Sequence, residues 1–384
     1  MTDSLFPFPA SPTPAAGPPL RVLHVLSAMN RGGIETWLMQ VLRRQDPARV
    51  TFELLLFTPE GGAYDPELRA LGVNVRRCPP PRRVGAFLGC LWRTLRAGHY
   101  DVVHSHVHHF SGIILFVAWL AGVRGRVAHS HLNTEGPDRA SAAPRRLYLA
   151  AMKAAIARWS SEGLAVSDQA AGALFGPDWR TQAQWRVLPL GLDPAPYTRP
   201  TDRAGLRASL GLSPDALVLG HIGWFRPAKN HPFLLRVFAE VLARRPEARL
   251  LLIGEGEQQA EVEVLARELG LLDAVVFAGP RDDVPALLQV MDVFVFPSHI
   301  EGLGLALIEA QMAGLPCVTA DHLPPEAWLS GASVTALPLA AGPTVWAETL
   351  LRIAGQPPQF PAPHPYDLTH SLPLLLERYE HYRR

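Results

Sequence analysis

The sequence predicts an α/β protein made of two doubly wound parallel-sheet domains in series. Three observations carry this expectation. Short apolar runs alternate along the chain with segments whose apolar residues recur at helical spacing. Several of those runs are continuously apolar rather than alternating, as strands buried on both faces of a parallel sheet must be. Midway, residues 189–200 (PLGLDPAPYTRP) carry four prolines and a glycine, which marks an interdomain linker.

The first domain is expected over residues 20–190. Residues 21–27 (RVLHVLS) read as a strand, Gly32 and Gly33 as a turn, and Ile34, Trp37, Leu38, Val41 and Leu42 as one helical face. Strand, glycine turn and helix open a doubly wound domain. Strands are expected at 51–57, 73–76, 101–104, 127–130 and 163–166. Helices are expected at 66–71, 87–97, 111–121 and 144–159. The second domain, 191–365, repeats the alternation. Its strands are expected at 217–223, 249–253, 274–278, 293–296 and 317–319, and its helices at 233–244, 258–269, 284–290 and 303–312. A last amphipathic helix over 372–382, within a segment 366–384, is expected to pack back on the first domain. Residues 1–19, rich in Pro, Ala and Ser, read as a disordered tail.

Composition narrows the class. Apolar residues make up 48% of 384, enough for sizeable cores, and a formal net charge of +1 gives no reason to expect a nucleic-acid partner. Cys78, Cys90 and Cys317 form neither a CxxC pair nor a disulfide framework, so a reduced, cytoplasmic protein is expected. No signal peptide is visible, and the longest apolar run, 113–121, is far short of the ~20 residues of a spanning helix.

In doubly wound sheets ligands bind beyond the carboxyl ends of strands, so residues just after strands matter most. The strongest element is residues 301–309 (EGLGLALIE). Gly302 and Gly304 allow close backbone approach, the following helix N-terminus offers amides to a phosphate, and Glu309 stands among apolar neighbours, a poor setting for an idle carboxylate. A carboxylate there can accept hydrogen bonds from both vicinal hydroxyls of a ribose. Residues 223–230 (GWFRPAKN) place Arg226 and Lys229 where they could neutralise a diphosphate leaving group. The chain has no Asp-x-Asp pair, so no metal is expected. His104, His106 and His108 alternate, which puts three imidazoles on one face of an extended segment; His109 adjoins them, and His129 and His131 end the next strand. Zinc is disfavoured there because no nearby carboxylate or cysteine completes a site; polar lining of a cleft is expected instead. A complete GxGxxG, a Walker A motif and a GxSxG elbow are absent from the sequence.

Together, Gly32-Gly33-Ile34-Glu35, Arg226 with Lys229, and Glu301 with Glu309 resemble family 4 of the retaining GT-B glycosyltransferases. The phrases VLHVLSAMNRGGIET, DVVHSHVHHFSG and EGLGLALIEAQMAGLPCV are similar to its capsular and exopolysaccharide subgroup. The resemblance spans residues 20–325. It implies two Rossmann-like domains facing across a cleft, with a nucleotide-sugar donor, commonly a UDP-sugar, held mostly by the second. It implies that Glu309 holds the ribose, that Glu301 and the amides of Gly302, Leu303, Gly304 and Leu305 meet the donor sugar, and that Arg226 and Lys229 grip the diphosphate. Gly33 would approach the phosphates, His131 the donor sugar, and Arg281 and Val284 the base. His106 and His108 would lie on the acceptor side. Retention without a protein nucleophile follows from the same resemblance. The chain departs from the family pattern at Leu190, at Ala228 and after Asp321, although Glu326 keeps a family acid.

Two other functions fit a similar scaffold: a nucleotide-sugar epimerase, and a binding protein without turnover. Intact Glu301, Glu309, Arg226 and Lys229 argue against the second. The basic helix with Arg145, Arg146, Lys153 and Arg158 beside Leu147, Leu149 and Trp159 could touch anionic lipid, as a lipid-linked acceptor at the inner membrane face would require; an ordinary packed helix is favoured.

Overall fold

The computed structural model describes residues 17–58 and 60–383. The expected disordered tail thus falls, as far as residue 16, outside the described residues. The chain forms two compact units. One runs to Leu192 and takes back the segment from Pro365 onward; the other is Asp193–His364.

The first unit holds seven strands: β1 (Leu20–Leu26), β2 (Val50–Leu56), β3 (Asn74–Arg77), β4 (Val102–Ser105), β5 (Gly125–Ser130), β6 (Glu162–Ala165) and β7 (Trp185–Val187). They form one parallel sheet in the order β3-β2-β1-β4-β5-β6-β7. The second unit holds β8 (Val218–Ile222), β9 (Arg249–Ile253), β10 (Val275–Phe277), β11 (Val293–Phe296), β12 (Cys317–Ala320) and β13 (Val334–Leu337), in the parallel order β10-β9-β8-β11-β12-β13. Both follow the Rossmann order, in which the winding direction reverses beside the first strand. The switch points lie between β1 and β4 and between β8 and β11. In β11 all four side chains (Val, Phe, Val, Phe) are fully buried; at about 1.5–3 kcal/mol each, this burial holds the strand that presents residues 297–304.

Sequence patterning missed β7, β13 and the helices Asp168–Phe175 and Gly342–Ile353. β7 has only three residues, β13 is half-buried along its length, and the helix Gly342–Ile353 opens on Gly-Pro, which reads locally as a turn.

The chain divides two residues later than the linker composition suggested, because Leu192 is stitched to the returning segment. The Leu192 amide donates to the Tyr366 carbonyl at 2.7 Å, and the Leu368 amide donates to the Leu192 carbonyl at 2.9 Å. A Cβ on Gly191 would stand 1.8 Å from Ser371 Oγ and 2.7 Å from Leu368 Cα, so only glycine fits there. The final helix, Leu368–Glu380, starts four residues earlier than its apolar spacing indicates, because the Asp367 side chain accepts from the Thr369 amide and caps it.

The cysteine reading is corrected. Cys78 and Cys90 form a disulfide with Cα atoms 5.8 Å apart, and Cys317 is buried and free. Cys78 directly follows β3 and Cys90 lies on the helix Val84–Gly98; the chain reversal between them, which pattern reading does not show, brings the thiols together. No described helix is long and apolar enough to cross a membrane.

Candidate functional site

In the second unit the switch point gathers the two strongest sequence elements. After β8 the chain runs through Gly223 and Trp224 to a short turn of helix, Pro227–Lys229, and enters the helix His231–Arg244 through Asn230. Asn230 adopts a left-handed conformation (φ 59°), and its side-chain amide donates to the Pro297 carbonyl at 3.1 Å. The His299 amide donates to the Ala228 carbonyl at 2.7 Å. These two bonds tie the loop after β8 to the loop after β11. A Cβ on Gly223 would press on the Lys229 side chain at 3.0 Å, so glycine leaves room for that stem to lie across the strand end.

Lys229 Nζ donates to Glu301 Oε1 at 2.6 Å and sits 4.9 Å from the Phe296 ring centroid. Both partners are mostly buried, which lowers the local dielectric and strengthens the pair. Arg226, exposed, stacks its guanidinium over Trp224 at 4.8 Å. Gly304 caps the helix Leu305–Met312 with φ 97°, a conformation that L side chains rarely adopt. The Leu307 amide donates to the Gly304 carbonyl at 2.9 Å, and the amides of Leu305 and Ala306, at the helix start, have no acceptor one turn earlier.

Glu309 lies one turn into the helix and is half-buried. Tyr197, from the short helix Ala195–Thr198, donates its hydroxyl to Glu309 Oε1 at 2.7 Å, which leaves Oε2 for a ligand. Burial raises the Glu309 pKa to about 7, with the Tyr197 hydroxyl and the Lys229 charge pulling the other way. Arg281 makes a two-pronged ion pair with Asp283, at 2.8 and 2.7 Å, beside Val284, which starts the helix Val284–Val290. The Asp283 pair therefore fixes the direction of its guanidinium.

In the first unit, Gly32 and Gly33 open the helix Gly33–Arg43, and Gly33 is exposed. A Cβ on Gly32 would meet the Glu35 carboxylate at 2.3 Å, so that acid folds back over the helix start. The histidines are not arranged as strand alternation suggested. His108 has φ 50° and lies on a short turn of helix, His108–Phe110, stacked on His109 at 4.3 Å and bonded to Thr134 at 3.2 Å. It leaves the face that His104 and His106 share, because β4 ends at Ser105 and the chain turns. Its place is taken by a residue the pattern missed. His24 on β1 is the register partner of His104 and packs beside His106.

Two hydrogen-bonded rows result. Tyr379 Oη meets His104 Nδ1 at 2.5 Å, and His104 Nε2 meets His129 Nδ1 at 3.0 Å. His24 Nδ1 meets His106 Nε2 at 2.9 Å, and His106 Nδ1 meets His131 Nε2 at 2.8 Å. Burial holds all five imidazoles well below their usual pKa, so they are neutral. Both ring nitrogens of His106, expected on the acceptor side, are engaged within the row. Two triplets, His24-His104-His106 and His106-His129-His131, bring ring nitrogens within 4.8 Å of one another.

Residues 32–191 match the family described as glycosyl transferase 4-like domain, and residues 202–331 the family described as glycosyl transferases group 1. A Bacillus subtilis (strain 168) protein carrying the name glycosyltransferase EpsF is 35% identical over 340 residues, 87% of this chain and 88% of that protein. The chain belongs to the GT4-like, group 1 glycosyltransferases. The D-inositol 3-phosphate glycosyltransferase of Actinosynnema mirum is 36% identical over 282 residues, 68% of this chain and 65% of that protein. The crystal structure of Anabaena HepE in complex with UDP and glucose superimposes with a TM-score of 0.73 at 20% identity, covering 94% of each chain, and shares the GT-B fold.

For this glycosyltransferase, the residues that sequence reasoning overlooked are Tyr197, Asn230, His24 and Tyr379. Tyr197 sits inside the proline-rich stretch, where no periodicity marks it. His24 and Tyr379 join the histidine rows only through strand order and the returning C-terminal helix, which local patterns do not encode.

Proposed function

We propose that this glycosyltransferase moves a hexose from a nucleoside-diphosphate sugar, with uridine as the base, onto a glycan or lipid-linked acceptor, with retention of configuration and without a metal ion. The observation that carries the reading is the second unit's switch point. There Glu309 keeps one carboxylate oxygen for a ribose while Lys229 and Arg226 stand at the neighbouring strand end with charge for a diphosphate. Fixed cations and helix-terminal amides would stabilise a departing diphosphate without reorganisation, the part that a metal plays where an Asp-x-Asp pair is present. HepE, of the same fold, was crystallised with UDP-glucose, which supports a uridine donor. The similarity of its motifs to the capsular and exopolysaccharide subgroup supports a place in exopolysaccharide assembly. In the first unit, Gly33 at its helix start and His131 directly after β5 are the residues assigned to substrate contact.

A lipid-linked acceptor is favoured by the surface of the first unit. Trp119 packs on Trp159 at 4.4 Å, Phe116 on Trp159 at 5.1 Å, and Arg158 lies over Trp159 at 4.5 Å; Leu120 and Leu147 are exposed nearby in sequence. Aromatic rings with arginine suit an anionic bilayer interface. Leu149, by contrast, is buried in the unit and contributes nothing outward.

Calorimetric titration of UDP, GDP and ADP in the presence of chelator tests the donor site. Metal-free binding of UDP that is lost in Glu309→Ala is the expected result; no nucleotide binding by folded protein refutes it. Product analysis with a UDP-sugar then separates transfer from epimerisation, and an inverted anomer refutes retention.

A further inference from the structure

Lys229 carries its own counter-ion. Its Nζ donates to Glu301 Oε1 at 2.6 Å and lies 4.9 Å from the Phe296 ring centroid. Only 18% of the lysine side chain and 11% of the glutamate side chain are exposed. The two residues sit on different loops, one after β8 and one after β11. Those loops are tied together by the bonds from Asn230 to the Pro297 carbonyl at 3.1 Å and from the His299 amide to the Ala228 carbonyl at 2.7 Å. The lysine stem is wedged as well, since a Cβ on Gly223 would stand 3.0 Å from its Cε and 3.1 Å from its Cδ. Glu301 is therefore a fixed neighbour of the cation rather than a mobile counter-ion.

An ammonium has three N–H donors, so Lys229 keeps two for a ligand while it stays bonded to Glu301. A phosphate oxygen hydrogen-bonded to Nζ at about 2.8 Å then lies no more than about 5.4 Å from Glu301 Oε1. Like charges at that separation repel. The repulsion is worth about fourfold in affinity at the dielectric constant of water, and about 200-fold at the effective constant typical near a protein surface.

Substrate and product differ in the charge they bring to this pair. In a nucleoside-diphosphate sugar the terminal phosphate is esterified to the sugar and carries a single negative charge. Transfer breaks the bond between the anomeric carbon and the terminal phosphate oxygen. That oxygen keeps the electron pair, the acceptor oxygen bonds to the carbon, and the acceptor's proton passes to the phosphate and, above about pH 6, on to solvent. The terminal phosphate of the product is then doubly charged.

We infer that Glu301 is a specificity-determining residue that discriminates against the free nucleoside diphosphate. Its fixed charge offsets part of the pull of Lys229 and Arg226 on the extra charge, so the cations that stabilise a departing diphosphate do not retain it. This rests on the reading of Lys229 as a diphosphate ligand. It goes beyond a contact between Glu301 and the donor sugar, which needs hydrogen-bonding atoms but no net charge.

The test is calorimetric titration at pH 8, where Glu309, with its pKa of about 7, and the terminal phosphate are both ionised. It compares UDP with the ester of UDP that carries a methyl group on its terminal phosphate. The ester has the charge of the donor and no sugar, so a lost sugar contact cannot imitate the effect. Glu301→Gln is expected to bind UDP more tightly than wild type and to shift the affinity ratio of UDP to ester toward UDP by about tenfold. Uridine, without a phosphate, is expected to bind both proteins alike. UDP affinity that is unchanged or lower in Glu301→Gln, or an equal gain for UDP and the ester, overturns the inference. Glu301→Ser, neutral and too short to reach Lys229, is the second variant. Glu301 is half-buried in a loop ahead of the helix, so both variants are expected to fold. If thermal unfolding shows that neither does, the pair is a structural tie and the inference is wrong. Failure of the underlying reading looks different: Lys229→Ala then binds UDP as tightly as wild type. If Lys229→Ala weakens UDP binding and neither neutral variant strengthens it, Lys229 remains a diphosphate ligand and Glu301 does not discriminate.

Discussion

Replacing Glu309 by glutamine should stabilise the protein while impairing its donor site. Burial raises the Glu309 pKa from 4.5 to about 7. The folded chain therefore keeps a proton that the unfolded chain releases between those values. Stability falls as pH rises through that window and is level above it. At about 1.4 kcal/mol per tenfold change in proton affinity, the full displacement corresponds to about 3 kcal/mol. Because the side chain is half-buried, solvent screening reduces the expected effect to about 1–2 kcal/mol. Glutamine keeps the carbonyl that accepts from Tyr197 and removes the charge. Urea unfolding at about pH 8 should show Glu309→Gln more stable than wild type by that amount, or about 2–7 °C higher in Tm, with the difference closing near pH 4.5. Over the same pH range, wild-type UDP affinity should rise up to about tenfold between about pH 6 and pH 8 as the carboxylate ionises. A variant that is no more stable at pH 8, or a difference that persists at pH 4.5, would refute the argument that Glu309 is a destabilising carboxylate retained for binding.

Other outcomes follow from the same geometry. Tyr197→Phe removes the hydroxyl that lowers the Glu309 pKa, so the midpoint of the pH dependence of UDP binding should move up; calorimetry across pH would show it. Lys229→Ala leaves Glu301 without its cation and should weaken UDP binding by about 100-fold while uridine binding changes little, as paired titrations would read. Arg207, buried, bonds to Asp292 and to the carbonyls of Pro214, Ala216 and Val290, so Arg207→Ala should cost about 3–5 kcal/mol in urea unfolding. Oxidised protein denatured without reductant should take up one equivalent of alkylating agent, at Cys317, and three after reduction, counted by mass.

Much of the fold was legible because its signals are local. Continuous apolar strands such as 293–296, helical spacing in residues 34–42, and glycines or prolines at the junctions are properties of neighbouring residues, and they fix an alternating α/β chain whatever the long-range contacts. Glu309 was legible for a related reason: a carboxylate set among Leu305, Ala306, Leu307 and Ile308 is costly enough to demand a role. The order of the strands was not readable in this way, and the histidines show the consequence. Alternation along residues 104–108 placed His108 with His104 and His106, whereas the end of β4 turned His108 away and the pairing of β1 with β4 set His24 in register with His104. The returning helix delivered Tyr379 to the same group across 275 residues of sequence. The Cys78–Cys90 bond and the Tyr197–Glu309 contact are likewise products of chain reversal. The sequence by itself determined which segments are strands and helices and which acids and bases follow the strands, since propensity and periodicity act over a few residues. Only the tertiary structure decided which of those groups meet, because hydrogen bonds and ring contacts act over a few ångströms between residues as far as 275 positions apart.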